Sequence, residues 1–295
     1  MVKFRIVALI MALSASTMVT SCSPNPVKTG EAVASRLPSI LSRGTIRCSY
    51  LIYPPYLQKD PNTGQLSGVF HDLMEEVARA SNLKVEWREE VGYESIFQSV
   101  NSGRNDAFCG GLWPNASRAR SGSFSIPVFY SVVKAWGRAD ETRFADLKDV
   151  NAPTVRIAAI DGAQEDIIAQ SDYPLATRVS LPQLSPFSQN FLNITSHKAD
   201  ITFAEPGTAL GYLQANPGSL KELAPNLPVR TFGNVVVLPK GDYQLKEFLD
   251  VSLTELLYSG KVEQILQRYE PAPGVFPRAA LPYRPETAIL KAPSK

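Results

Sequence analysis

The chain has 295 residues, 44% of them hydrophobic, which is enough to bury a large core and to build two lobes. Its formal net charge of +2 equals the two basic residues within positions 1–21, so residues 22–295 are balanced. This balance excludes a general electrostatic attraction to nucleic acid or to anionic lipid, and we expect no nucleic-acid partner.

Residues 1–21 predict a secretory signal peptide that is not part of the fold. Two basic residues precede an apolar run at 6–13, and small residues lead from it to "VTSC" at 19–22. This ending resembles a bacterial lipobox, so we expect lipid on Cys22, attachment to a membrane, and a location in the periplasm or cell envelope. The run is too short to span a bilayer comfortably, and an ordinary signal peptide with a chance cysteine is the alternative.

An aperiodic segment at 22–42 contains Pro, Ser and Ala and predicts a tether. Beyond it, strands and helices alternate, which predicts an α/β unit with a mostly parallel sheet. The elements, in chain order, are a strand at 45–53, a turn-rich loop at 54–68, a helix from 69, a strand at 84–90, a short helix at 93–103 and a buried strand at 106–111.

A second α/β unit begins after Asp140. Residues 271–295, at the end of the chain, carry repeated Pro and Ala, and we expect a tail that lies along the surface or remains loose. Between these points the predicted elements are a strand at 154–160, a turn and helix start at 161–171, a helix at 185–199, a strand at 200–205, a strand at 234–240 and a long helical stretch at 243–269.

The two units share an internal echo. "FQSVNSGRND" at 97–106 and "FLNITSHKAD" at 191–200 agree in Phe, in Val or Ile, in Ser and in Asp at equivalent positions. Each segment joins a helix end to an apolar strand. The constant offset places Gly111 opposite Glu205 at the carboxyl ends of two strands, where ligands collect in open α/β sheets.

Metal-ligating residues are few in this sequence. His71 and His197 are far apart, and no Cys or His spacing suits zinc, so we expect neither a metal nor a cofactor. With lipid on Cys22, two cysteines remain in an oxidising compartment. The sequence leaves open whether Cys48 and Cys109 form a disulfide or remain as two buried thiols.

Several motifs together are specific, although each alone is weak. They are an aromatic-Pro-Pro-aromatic turn at 53–56, Gly68 with Asp72 opening the first helix, Ser-Gly-x-x-Asp at 102–106, Arg118 followed by Phe-Ser at 124–125, and "GKVEQILQRYE" at 260–270. Through them, residues 43–270 resemble the extracellular solute-binding protein family 3, the polar amino-acid-binding receptors of bacterial ABC importers.

The resemblance implies an α/β fold of the two-lobed, type II-like periplasmic binding protein class, in which each lobe is a mostly parallel sheet flanked by helices. Lobe 1 would comprise residues 43–137 and 235–270, and lobe 2 would comprise residues 138–234. Two crossing strands, near 138–140 and 232–234, would form a hinge that absorbs a few backbone rotations.

The resemblance also assigns Arg118 to the carboxylate of the ligand. A guanidinium offers a planar fork that matches a carboxylate with two parallel charge-assisted hydrogen bonds. A surface role is the alternative, and it is the role that we expect for the neighbouring Arg120. Tyr53 and Tyr93 fall where the family places aromatic walls around the apolar part of the ligand, with core tyrosines as the alternative.

Glu205 stands where the family carries an Asp that binds the amino group of the ligand, and a plain surface acid is the alternative. Gly111 borders the same place. Trp113 and Asn115 replace hydroxyl residues of the family, and the indole would either stack on the ligand or fill space. We therefore expect a small ligand with a carboxylate, an amino acid or a related compound.

In lobe 2, Ala163 and Gln164 replace the hydroxyl residues of a family Gly-Thr-Thr turn. The change removes a hydroxyl donor, but backbone N–H groups at a helix start can still hold an anion, and the side chain of Gln164 can donate. With the residues above, these two complete the predicted binding site.

Three functions are compatible with this pattern. The favoured one is a monomeric receptor that delivers its ligand to an ABC permease, because the sequence adds no catalytic dyad to the binding set. An enzyme similar to the periplasmic dehydratases of cyclic carboxylic acids, with Glu205 as general acid, is the second. The third is a tethered sensory or accessory module that binds a partner protein.

Overall fold

We describe residues 33–225 and 228–279 of a computed structural model of the protein. The predicted signal peptide at 1–21, the predicted lipid site Cys22, the first part of the tether and the end of the tail lie outside the described residues. Within the described ranges, no helix combines the length and the apolar character needed to cross a membrane.

The described residues form twelve strands, and six of them overlap the strands predicted from the sequence. Their bounds are β1 (Thr45–Tyr50), β2 (Gln58–Lys59), β3 (Leu66–Ser67), β4 (Lys84–Glu90), β5 (Ala107–Leu112), β6 (Ser123–Phe124), β7 (Phe129–Arg138), β8 (Arg156–Ile160), β9 (Thr177–Leu181), β10 (Ile201–Ala204), β11 (Leu220–Leu223) and β12 (Arg230–Leu238).

Eight α-helices pack on these strands within the same ranges. The single helical stretch expected at 243–269 is two helices, because Gly260 between them has a φ of +77° that a helix does not allow. The helices are α1 (Leu37–Arg43), α2 (Val69–Ala80), α3 (Ile96–Asn101), α4 (Gln164–Asp172), α5 (Ser188–Thr195), α6 (Pro206–Ala215), α7 (Tyr243–Tyr258) and α8 (Lys261–Tyr269).

The strand order is β4-β1-β5-β12-β7-β10-β8-β9. One end of this order is parallel, with β1 between β4 and β5, and the other end is parallel, with β8 between β9 and β10. The two ends are joined by β7 and β12, which pair antiparallel with each other. Each end has its own buried apolar core, so the chain forms two lobes joined by two long strands.

The two crossing strands lie side by side. Residues 129–133 of β7 pair with residues 230–234 of β12, and from Lys134 onward β7 pairs with β10 of lobe 2. The first crossing that we expected at 138–140 is therefore displaced toward the start of β7. The strand alternates in burial from Phe129 to Ala135, across the point where its partner changes, so its pattern does not mark where it changes lobes.

A disulfide joins Cys48 on β1 to Cys109 on β5, with 5.5 Å between the two Cα atoms. The sequence left this pairing open beside the alternative of two thiols. β1 and β5 are parallel neighbours, and both cysteines belong to the buried core of lobe 1. Cys109 directly precedes Gly110 and Gly111 near the end of β5.

The expected tether is shorter than the sequence suggested. Residues 37–43, inside the aperiodic segment, form α1, and its Ile40 is fully buried. Ser35 Oγ donates to Asp242 Oδ1 over 2.6 Å, and the backbone N–H of Arg36 donates to Asp242 Oδ2 over 2.9 Å. These contacts attach the end of the segment to lobe 1.

The start of the expected tail is also part of the fold. Phe276 is 1% exposed and packs against Phe129 at 5.6 Å between ring centroids. The N–H of Tyr130 donates to the carbonyl of Pro277 over 2.7 Å, and Arg278 forms an ion pair with Glu270. This segment therefore lies along β7 where that strand crosses between the lobes.

We expect Phe276→Ala to lower the free energy of unfolding by about 3–5 kcal/mol, because a fully buried aromatic ring leaves a cavity behind. Urea denaturation of the variant would measure this loss. Val275→Ala, at a partly buried neighbour, is the matched control and should cost clearly less. Equal small losses in both variants would show that the segment contributes little to the core.

Candidate functional site

The predicted site residues gather where the carboxyl ends of the central strands of both lobes face each other. Gly111 is in β5, Glu205 follows β10, and Gln164 begins α4 after β8. Tyr53, Arg118 and these three residues border one partly open cavity of about 40 Å³. This is far below the roughly 300–1,000 Å³ of a typical small-molecule site.

Arg118 lies at the centre of this site and is 9% exposed. Its Nη1 donates to the carbonyl of Trp113 (2.8 Å) and to Oε1 of Gln164 (3.2 Å), and its Nη2 donates to the carbonyl of Gly162 (3.1 Å). Burial lowers the pKa of the guanidinium, yet arginine keeps its charge in proteins. These three bonds use three of its five N–H groups, and the bonds to Gln164 and Gly162 connect lobe 1 to lobe 2.

Asn115 holds the backbone of Arg118 in place. Its Oδ1 accepts a hydrogen bond of 2.8 Å from the backbone N–H of Arg118, which begins a short 3₁₀ turn. The amide nitrogen of Asn115 is buried without a hydrogen-bond partner among the described residues. The contact thus holds the turn that carries Arg118.

Gly111 lies at a position where any side chain would clash with its surroundings. Its φ is +81°, a region that side chains disfavour, and a Cβ built on it would lie 2.1 Å from Cε2 of Phe70. The bare backbone therefore lets Phe70 pack under the site.

Trp113 fills space against the hinge. Its ring stacks on Phe232 with 5.0 Å between centroids, and its Nε1 donates to Oδ1 of Asn234 over 3.0 Å. The indole still borders the small cavity. These contacts describe a ring that fills space, and stacking on the ligand stays a prediction.

Tyr53 and Tyr93 both border the small cavity and come from lobe 1. The hydroxyl of Tyr53 donates to Oε2 of Glu205 over 2.7 Å, a further hydrogen bond between the lobes. The ring of Tyr53 meets Phe187 of lobe 2 edge-on at 5.2 Å. Burial raises the pKa of both tyrosines, so their hydroxyls remain donors.

Ala163 and Gln164 begin α4 in lobe 2. Ala163 is fully buried at the N-cap position and contributes backbone to the turn. Gln164 is 3% exposed, and because its Oε1 accepts from Arg118, its Nε2 points elsewhere and has no partner among the described residues. The site thus contains an unused buried donor beside the guanidinium.

Two buried carboxyl groups lie near this cation: Glu205 borders the same cavity, and the charge of Glu165 acts on the guanidinium. Burial raises the pKa of Glu205 to about 7 and that of Glu165 to about 8. Glu165 Oε1 accepts from the N–H of Ile160 (3.2 Å) and from Nδ2 of Asn190 (3.3 Å). Sequence reasoning missed Glu165, although its position directly after Gln164 in the first turn of a helix was a signal.

Sequence reasoning also missed a polar network on the crossing strands. Asn234 of β12 donates through Nδ2 to Oγ of Ser131 on β7 over 2.9 Å, and that hydroxyl lies 3.4 Å from the hydroxyl of Tyr56. Tyr56 belongs to the aromatic-Pro-Pro-aromatic turn and could have been named from it. No motif marks the other two residues.

Chemically, the arrangement places a fixed cation and a free amide donor on one side of a cavity, with a carboxyl group of adjustable charge on the other. Two α/β lobes joined by paired crossing strands, with such a polar cavity between them, define a two-lobed periplasmic binding protein. Residues 47–272 match the family described as bacterial extracellular solute-binding proteins, family 3, and the chain belongs to that family. It is therefore a solute-binding receptor by class.

Individual relatives are distant. A probable histidine-binding protein of Neisseria gonorrhoeae is 23% identical over 226 residues, covering 74% of this chain and 79% of the relative. An ancestral amino acid-binding protein, described as a precursor of cyclohexadienyl dehydratase, is 22% identical with a TM-score of 0.70, covering 80% of this chain and all of that one.

A third relative is an amino acid ABC transporter substrate-binding protein of Streptococcus pneumoniae bound to L-arginine. It is 20% identical with a TM-score of 0.69, covering 79% of this chain and 97% of that one. At these identities, the two solved structures establish the fold.

The two buried carboxyl groups should make stability depend on pH. Both have pKa values in the folded chain above the ordinary 4.5, so the folded chain keeps protons that the unfolded chain releases. Their contribution is fully present below about pH 4.5 and is lost as the pH rises through about 7 and 8. Without added ligand, we expect the Tm to fall between about pH 5 and pH 8.

Thermal denaturation across this range would measure the effect. Glu165→Gln and Glu205→Gln cannot ionise and should each flatten the fall, whereas Glu94→Gln, at an exposed glutamate near the site, should leave it unchanged. A Tm of the parent protein that rises over the same range would contradict this assignment.

Proposed function

We propose that this receptor captures a small amino acid, or a related compound with one carboxylate and one amino group, between its lobes and delivers it to an ABC permease. The observation that supports the proposal best is Arg118, buried between the lobes with two N–H groups unused by the described residues. A carboxylate is the acceptor that this planar fork matches.

The carboxylate half of the site has further support in lobe 2. Gln164 Nε2 is a buried donor without a partner in the described ranges, and it lies at the first turn of α4. Backbone N–H groups and the dipole at the start of a helix favour an anion. A ligand carboxylate at this point would be held from both lobes.

The amine half of the site would be Glu205. A carboxyl group with a pKa of about 7 ionises readily once a cation approaches, because the opposite charge favours the ionised form. Tyr53 and Tyr93 would enclose the remaining atoms of the ligand. The cavity of about 40 Å³ is smaller than an amino acid, so the lobes or side chains must move for the ligand to enter.

We further propose that the protein acts in the periplasm or cell envelope, held to a membrane by lipid on Cys22 after removal of residues 1–21. The lipobox-like "VTSC" supports this attachment. The matched family consists of extracellular proteins, which agrees with a location in the periplasm or cell envelope. Mass spectrometry of the protein from a membrane fraction would detect the lipid, and an unmodified Met1 would contradict it.

Arg118→Ala should weaken binding of the ligand by about 100-fold, since two charge-assisted hydrogen bonds are lost. The ligand is first chosen by thermal shift from the standard L-amino acids, and its affinity is then measured by calorimetry. Arg118→Lys keeps the charge without the fork and should also bind poorly. Arg120→Ala, at the exposed neighbouring arginine, is the control that should bind normally.

Glu205→Gln tests the amine contact separately. We expect affinity for the amino acid to rise with pH between about 6 and 8 as Glu205 ionises, and the glutamine variant to bind weakly at every pH. The deaminated 2-hydroxy acid of the same side chain should lose this pH dependence in the parent protein. Equal affinity of parent and variant would remove Glu205 from the site.

A dehydratase acting on a cyclic carboxylic acid is the second candidate. One observation favours it: a carboxyl group with a pKa near neutrality, paired with a tyrosine hydroxyl, is suited to general acid catalysis. Incubation with prephenate and detection of the aromatic product would assign this activity if Glu205→Gln abolished it. Binding without turnover would leave the receptor as the function.

A further inference from the structure

A chain of buried polar side chains crosses the two strands that join the lobes. It comprises Asn234 on β12, Ser131 on β7 and Tyr56 of the turn at 53–56, and it ends at Glu205. None of the four is more than 4% exposed. Both strand residues lie where β7 and β12 pair with each other. We refer to Asn234, Ser131 and Tyr56 as the relay.

The indole of Trp113 fixes the direction in which the relay donates its hydrogens. Its Nε1 can only donate, and it donates to Oδ1 of Asn234 over 3.0 Å. The other end of the same amide, Nδ2, therefore faces Ser131 and donates to its Oγ over 2.9 Å. A hydroxyl that accepts from an amide keeps its own hydrogen for another acceptor. The hydrogen of Ser131 is thus directed away from β12.

The acceptors for this hydrogen lead to Glu205. One is the hydroxyl of Tyr56, which lies 3.4 Å from Oγ of Ser131 and itself forms a hydrogen bond with Glu205. The other is the carboxyl group of Glu205. Burial raises the pKa of this carboxyl group to about 7, and hydrogen bonds from Tyr53, Tyr56 and Ser131 act in the opposite direction. The relay therefore favours the ionised form of Glu205.

Other titratable and charged groups also surround Glu205. Tyr53, Tyr93 and Glu165 face it, and Arg118 borders the same cavity. Burial is the largest cause that raises the pKa of Tyr93 and of Glu165, and the charge of Glu205 adds to it. These four groups lie outside β7 and β12. The hydroxyl of Ser131 differs from them because a crossing strand carries it.

We propose that Ser131 and Asn234 are positioning residues that hold the carboxyl group of Glu205 at the hinge and couple its ionisation to the crossing strands. The inference deepens the proposed amine contact and rests on the proposed function for its ligand. Hydrogen bonds to an ionised group are about twice as strong as those between neutral groups. When the amine of the ligand ionises Glu205, the bonds from the relay strengthen and hold lobe 2 against the crossing strands.

The first test needs no ligand and measures the Tm against pH in the Glu165→Gln chain. In this chain the second carboxyl group with a raised pKa no longer titrates, and the Tm should fall with pH and level off near pH 7, where Glu205 ionises. Ser131→Ala removes a donor to the ionised form, so the fall should continue for about one further pH unit. Glu205→Gln in the same chain gives the baseline.

Two substitutions separate this role from packing. Ser131→Thr keeps the hydroxyl on a side chain that suits strands, and it should restore the pH at which the Tm levels off. Ser125→Ala is the matched control, because Ser125 is buried and its hydroxyl accepts from the N–H of Val236 on β12 over 2.9 Å. It should lower the Tm at every pH without moving the end of the fall.

Asn234→Ala tests the direction of the relay. Without the amide, the hydroxyl of Ser131 is free to turn, so the end of the fall should move in the same direction as in Ser131→Ala but less far. The double variant should move it no further than Ser131→Ala alone, because both residues act through one hydroxyl. Additive shifts would show two independent effects and would overturn the relay.

The remaining outcomes also decide the proposal. A lower Tm in Ser131→Ala with an unchanged end of the fall would make Ser131 a packing residue and contradict the inference. With the amino acid selected by thermal shift, the rise of affinity with pH should move by the same amount in Ser131→Ala, and an unchanged profile would overturn the coupling to the ligand. If none of the amino acids binds, the proposed function fails, whereas the measurements without ligand still decide the role of Ser131.

Discussion

The structure depends on a guanidinium that is removed from water and satisfied by oxygen atoms of two lobes. A buried charge without partners is costly, and Arg118 meets this cost with one carbonyl of lobe 1 and two oxygens of lobe 2. Separation of the lobes breaks the bonds to Gly162 and Gln164. The same charge therefore provides the recognition group and part of the force that holds the lobes together.

The negative charge opposite Arg118 comes from carboxyl groups that can gain or lose a proton. Glu165 and Glu205 are both buried, and their raised pKa values mean that they balance Arg118 without always being ionised. The hydroxyl of Tyr53 binds Glu205 and so connects this carboxyl group to lobe 1.

Much of this arrangement could be predicted from the sequence, because it follows local patterns. Apolar segments predicted half of the strands, and the family resemblance assigned Arg118 to the cleft. The other features depend on distant contacts. The helix at 37–43 is too short to show a period, Phe276 stands among prolines and alanines, and β7 passes between lobes without a change of pattern. The position of Glu165 beside Gln164 places it near the site, but its burial results from packing with distant residues such as Asn190.

The docked carboxyl-terminal segment has a consequence for motion. Where β7 crosses between the lobes, it pairs with β12 on one edge, and Pro277 and Arg278 lie along its other edge. A hinge made of only two strands can bend in either direction at a small cost in free energy. Here a third segment of backbone must move with β7 or separate from it. The free energy needed to open the lobes therefore depends in part on residues that do not contact the ligand.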